Sequence, residues 1–222
     1  NKGLKASNFV YEGAQQMRNM INGLLLGIVI GIAANVSIGP VLAESEETPE
    51  RLAARIAWGL ERLKNGNSCN RCYFNGIVLR GHTLYRTSLK MVEMRDADLR
   101  WTYFEDVDLF QADLRGSDMR QASLENTNLY DADLRTTDLD KANLRGADLT
   151  SANLQRAYLT EAILSGATLR EARLDDADLT GADLTFADLS RGILTRANFT
   201  EANLENAILS YSILGGADFS GA

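Results

Sequence analysis

Histidine is almost missing from this chain of 222 residues: His82 is the only one. A zinc centre built on imidazoles, or a nucleophile activated by histidine, therefore has little to draw on. Cysteine is equally scarce, with Cys69 and Cys72 alone. Covalent haem attachment is excluded because no histidine follows the pair. Positive charge is in deficit, with 23 Lys and Arg against 30 Asp and Glu and a net charge of −7. That balance argues against nucleic-acid binding through an ordinary basic patch. A phosphate-cradling glycine loop and a nucleophile–base pair are also missing, so no enzyme, no cofactor and no metal site is expected.

What the chain does have is a beat of five. From Phe74 to Phe219 every fifth residue is Leu, Phe or Met, giving 30 centres of which 24 are Leu, four Phe and two Met. Two residues before each centre lies a small or apolar residue, Ala in 18 of the 30 cases, and none there carries a fixed charge. Five is neither the helical period of 3.6 nor the strand period of 2. A fixed repeat over this length signals a stacked solenoid, in which each unit buries its apolar face against its neighbours. With the centre called i, residues i and i−2 point inward while i−1, i+1 and i+2 face water. Four units close a square coil of 20 residues, with Leu over Leu and Ala over Ala.

Stretches such as Ala147-Asp148-Leu149-Thr150-Ser151 and Ala182-Asp183-Leu184-Thr185-Phe186 carry a tandem pattern of (Ala/Ser/Thr/Val)-(Asp/Asn)-(Leu/Phe)-(Ser/Thr/Arg)-x. Over residues 69–222 this resembles the pentapeptide-repeat family. The resemblance implies an all-β fold, a right-handed quadrilateral β-helix, here of seven to eight coils.

The chain divides into three parts. Residues 1–43 form an N-terminal extension and a hydrophobic run at 21–43, which Arg18 precedes and Pro40 interrupts. Val41-Leu42-Ala43 offers small residues before a cut at Glu44, the layout of an export signal with Met17 as a candidate start. The rival is a retained membrane anchor, since a run of that length spans a bilayer. Both place the solenoid outside, in a periplasm or thylakoid lumen, with membrane contact only through residues 21–43 if they are uncleaved. Residues 44–68 hold a linker and a short helix, about Pro49–Lys64, with Leu52, Ile56, Leu60 and Leu63 on one stripe. It is expected to cap the first coil. Residues 69–222 form the solenoid.

Cys69 occupies a centre and Cys72 an i−2 position, so the pair reads as core of the first coil, as a disulfide, or as a thiol redox pair. Asp176-Ala177-Asp178 looks like the start of a calcium loop, but Ala187 stands where the loop needs Glu. Read every 20 residues, Arg95, Arg115 and Arg135 stack on one face and Arg80, Arg100 and Arg120 on the next. Acids at i−1 flank both rows, giving either a mesh of surface ion pairs or a polar docking face. A third face carries Lys90, Phe110 and Tyr130, with Trp101 nearby, and exposed aromatics in a column mark binding surfaces. Ile193, Ile208 and Ile213 replace the usual Asp or Asn at i−1 near the C-terminus. They suggest a contact between two copies, a C-terminal homodimer, or a truncated chain.

The leading expectation is a non-catalytic scaffold or protein-binding rod in an exported compartment, its protein partner unspecified. Exported members of the family are a feature of cyanobacteria. Other members look like acidic mimics of duplex DNA that occupy gyrase or topoisomerase. The Arg rows and the export segment argue against that reading here. A thiol-linked lumenal role for Cys69 and Cys72 is the third.

Overall fold

In the solenoid each side of the square is built from one β-turn. Ala152 N–H donates to Leu149 O at 3.0 Å, Ala157 to Leu154 O at 3.0 Å and Ala162 to Leu159 O at 3.0 Å, and the pattern recurs along the chain. The third residue of each turn has positive φ, for example Ser151 at 59°, Arg156 at 56° and Glu161 at 54°. Positive φ at that residue alone identifies turns of type II. Four of every five residues are thus committed to turning, and the i−1 residue bridges to the next coil, helped by the N–H groups of the centre and the third turn residue, as Leu154 to Arg173 O at 2.7 Å and Arg156 to Asp175 O at 3.0 Å.

The i−1 residue pairs in parallel with its counterpart 20 positions on, from Tyr73 with Glu93 through to Asn198 with Asp218. The coil therefore repeats every 20 residues, as the sequence predicts. The architecture is a right-handed quadrilateral β-helix. The computed structural model describes residues 49–64 and 68–222. Helix α1 spans Pro49–Lys64, and among the described residues the two strands of more than one paired residue are β1, Thr83–Tyr85, and β2, Tyr103–Glu105. Their Thr-Leu-Tyr and Tyr-Phe-Glu segments are rich in β-branched and aromatic residues, which favour extended pairing. Here Thr87 donates its hydroxyl to Tyr85 O at 2.9 Å.

The chain separates into two units at Asn65/Gly66. In the first, Ile56 and Leu63 of the α1 stripe are buried, with Leu52 and Leu60 half-buried. The extension, the 21–43 run and the linker at 44–48 lie outside the described residues. Among the described residues no helix is long and apolar enough to cross a membrane.

The core of the second unit is four stacked columns of centres, one for each wall. Centres from Leu89 to Phe199 are almost fully buried, and the i−2 alanines line the narrow shaft between them. Where Thr or Ser takes an i−2 place, its hydroxyl finds a carbonyl: Thr102 bonds Leu79 O at 2.8 Å and Ser117 bonds Leu114 O at 2.7 Å. Buried polar groups are tolerated on those terms. His82 departs from the expectation of an inward slot. Its imidazole is larger than a space sized for alanine, so it stays half-buried with Nδ1 3.0 Å from Arg80 O.

Candidate interaction surface

Residues i−1 and i+1 both point outward from one side of the coil, so an Asp-Leu-Arg triplet sets a carboxylate beside a guanidinium. Arg100 donates Nε to Asp98 Oδ1 at 2.8 Å and its terminal nitrogen to Oδ2 at 2.6 Å. Arg115 with Asp113, Arg120 with Asp118 and Arg135 with Asp133 repeat this two-point fork. Each of the first three also reaches the carboxylate one coil on: Arg100 to Asp118 at 3.4 Å, Arg115 to Asp133 at 3.5 Å and Arg120 to Asp138 at 3.4 Å. Arg95 joins by bonding Asp113 at 2.6 Å. Apart from Arg80, the rows read from the sequence are therefore two continuous ion-pair ladders.

Burial pushes the Asp113 carboxyl up, but hydrogen bonds from Arg115 and Arg95 outweigh it and hold the pKa at about 2. Hydrogen bonds from Arg100 and Arg120 hold Asp98 and Asp118 below the usual carboxylate range, against partial burial. Guanidiniums engaged on two sides have few donors left for a partner. The ladders stabilise the wall of the coil and are poor docking points.

Phe110 and Tyr130 stack with ring centroids 5.6 Å apart and planes 10° from parallel, and Lys90 Nζ lies 5.9 Å from the Phe110 centroid. Trp101 sits at the third turn position, 37 % exposed, its indole N–H donated to Gln121 Oε1 at 3.0 Å. Arg80 lies over its ring at 4.2 Å and Arg100 at 5.8 Å. Tyr85 and Tyr103 on β1 and β2 are exposed as well, and the sequence reading did not single them out. Their signal was available, because aromatics at i−1 or i+1 must face water in this repeat. Tyr103, Asp106 and Glu125 line a shallow groove of about 510 Å³.

Cys69 and Cys72 are joined in a disulfide and are buried. The bridge closes the first turn of the solenoid, whose ends are those two residues. Ile208 and Ile213 are exposed and Ile193 is half-buried beneath Ile213. Apolar i−1 residues are not confined to this end, since Tyr158 and Ile163 are exposed in the middle coils. Among the described residues no group of three or more His, Cys, Asp or Glu is placed to hold a metal ion.

Several solved structures are similar to this chain. HetL, a pentapeptide repeat protein involved in heterocyst differentiation regulation from Nostoc sp. strain PCC 7120, is 27% identical, with 68% of this chain and 89% of that one covered and a TM-score of 0.25. QnrB1, a plasmid-mediated fluoroquinolone resistance protein, is 25% identical over 69% of this chain and 79% of its own, with a TM-score of 0.38. A pentapeptide repeat protein from the Arabidopsis thaliana thylakoid lumen is 27% identical over 47% of this chain and 66% of that one, with a TM-score of 0.29. Comparison with curated proteins gives no match. The family profile for pentapeptide repeats, with eight copies, matches residues 102–140, 127–166, 164–196 and 194–222, a continuous stretch of more than half the chain. With its five-residue repeats and 20-residue coils, the chain belongs to the pentapeptide repeat family.

Proposed function

We propose that this chain is a non-catalytic scaffold whose lateral surface binds a protein partner. Proteins of the family are generally non-catalytic structural or binding proteins. The observation that carries the reading is the stacked Phe110–Tyr130 pair on an outward face, a rigid apolar surface that no packing need within the coil explains. Aromatic residues held in one conformation bind with little loss of side-chain freedom. A photo-reactive phenylalanine at Tyr130 should capture a defined neighbour in native extracts, while the same probe at Thr160, on the wall of the Asp138–Tyr158 ladder, should not. Equal capture at both positions would remove the aromatic column from the proposal.

The compartment is part of the same proposal. The apolar run at 21–43, its break at Pro40 and the small residues before Glu44 support export to a periplasm or thylakoid lumen. A mature N-terminus at Glu44 in a lumenal or periplasmic fraction is the expected result, and a retained anchor would leave the run in place. Self-association through Ile193, Ile208 and Ile213 also belongs here. Ile213→Glu should lower the sedimentation coefficient of any dimer to that of the single chain. The Arg ladders give no support to mimicry of duplex DNA, because each guanidinium offsets the acidic column beside it. Thiol cycling gains nothing from a pair of cysteines buried to 1% and 5% exposure.

A further inference from the structure

Residues 68–92 contain Arg71, Arg80, Arg86 and Lys90 and no Asp or Glu. Residues 93–222 hold 12 Lys and Arg and 24 Asp and Glu, a net of 12 − 24 = −12. The first coil is thus a basic collar on an acidic solenoid. Lys90 and Arg86 reach down to the next coil, to Asp108 at 3.0 Å and Asp106 at 3.3 Å.

Arg80 does not pair in that way. It begins the row of Arg100 and Arg120, yet Val78 stands where those two have Asp98 and Asp118. Without a carboxylate at its own level its guanidinium turns onto the Trp101 ring at 4.2 Å, and among the described residues it has no ion pair. Trp101 is fixed in turn by Gln121. Beside this pair the β1–β2 ladder, with Thr83 opposite Tyr103 and Tyr85 opposite Glu105, presents two more exposed rings. Arg, Trp and Tyr are the side chains that dominate binding hot spots, and here they are held in place before any partner arrives.

We propose that this corner, formed by Arg80, Trp101, Tyr85 and Tyr103, docks a carboxylate-rich segment of a protein partner. The inference rests on the protein-binding reading above and assigns a second, separate surface to it. A planar guanidinium with its fork unoccupied matches a carboxylate at two points, and its aromatic floor leaves the fork free. Val78 is the specificity device, since Asp there would fill the fork as Asp98 fills that of Arg100. A long polyanion or a charged membrane would meet the acidic ladders of the following coils, whereas a short acidic segment on Arg80 meets only their first carboxylate, Asp98, which Arg100 neutralises at 2.6 Å.

Two tryptophans, Trp58 and Trp101, are present, so Trp58→Phe in the full chain makes emission report on the proposed corner. Titration with a short alternating Glu/Gly peptide should change Trp101 emission saturably, and its Gln/Gly counterpart should not. Arg80→Gln should weaken binding about tenfold, the worth of a charge-assisted contact. Arg120→Gln, which removes a guanidinium held within the ladder, should leave binding unchanged. Val78→Asp should abolish it while circular dichroism stays that of the parent. Equal affinity in Arg80→Gln, absence of any response, or a stronger response to phosphatidylglycerol vesicles or to an oligonucleotide would overturn the proposal. Capture of a partner at Tyr130 would survive each of those results, so the two failures are separable.

Discussion

Leu139 has none of its surface exposed and lies between Met119 and Leu159 in its column. Truncation to Ala should cost about 2–5 kcal/mol in denaturant unfolding, because neighbours clamped above and below cannot close the void. Leu139→Asp should cost more, since a carboxylate in that column finds no partner. An unchanged melting curve for Leu139→Asp would contradict the inward placement. At the third turn position the demand is on the backbone. Ser151 holds φ at 59° with its side chain outward, so Ser151→Val should lower stability by about 1–2 kcal/mol, while Ser151→Gly should raise it slightly. The inward residues were legible from spacing alone because their size is constrained. The turn type was only half legible. Gly76, Gly81, Gly116 and Gly146 recur two residues after a centre and announce positive φ, but Arg, Gln and Glu hold the same conformation elsewhere.

A single turn or ladder behaves as a unit within its coil. The Cys69–Cys72 bridge closes one four-residue turn, so its loss should cost roughly 2 kcal/mol at most. Replacing both cysteines with Ala should speed amide exchange at Arg71 and Phe74 and leave Leu139 unchanged. The ladders set the response to acid. Asp113, Asp98 and Asp118 all titrate lower folded than unfolded, Asp113 at about 2. Their stabilisation is complete above the unfolded carboxylate pKa near 3.9 and is lost as pH falls through the folded values. For Asp113 alone this is on the order of 2 kcal/mol before solvent screening is discounted. Unfolding midpoints should therefore drop between about pH 4 and pH 2, and less in the Asp113→Asn variant. The Asp-Leu-Arg triplets made these ladders visible in the sequence. The exception at Val78 was not visible, because its consequence depends on which ring lies one coil away.

Across the whole solenoid the repeat decides what can meet what. Residues 20 apart in sequence are neighbours on one wall, and residues five apart lie on adjoining walls. Export, the partner and the self-contact are properties of surfaces that this rule arranges but does not name, which is why composition and period could reach the fold and stop short of the partner. The 20-residue pitch also places Arg80 over Trp101 and Phe110 under Tyr130, so both proposed surfaces depend on it. It can be measured directly by engineered crosslinking, since a disulfide needs its Cα atoms about 4.4–6.8 Å apart. Asn128 pairs with Asp148 across two coils, and Asn143 lies on a different wall. Under mild oxidation Asn128→Cys/Asp148→Cys should form an additional intramolecular bridge seen by peptide mapping, and Asn128→Cys/Asn143→Cys should not. Efficient bridging of the second pair without the first would contradict the four-sided coil and everything placed on its walls.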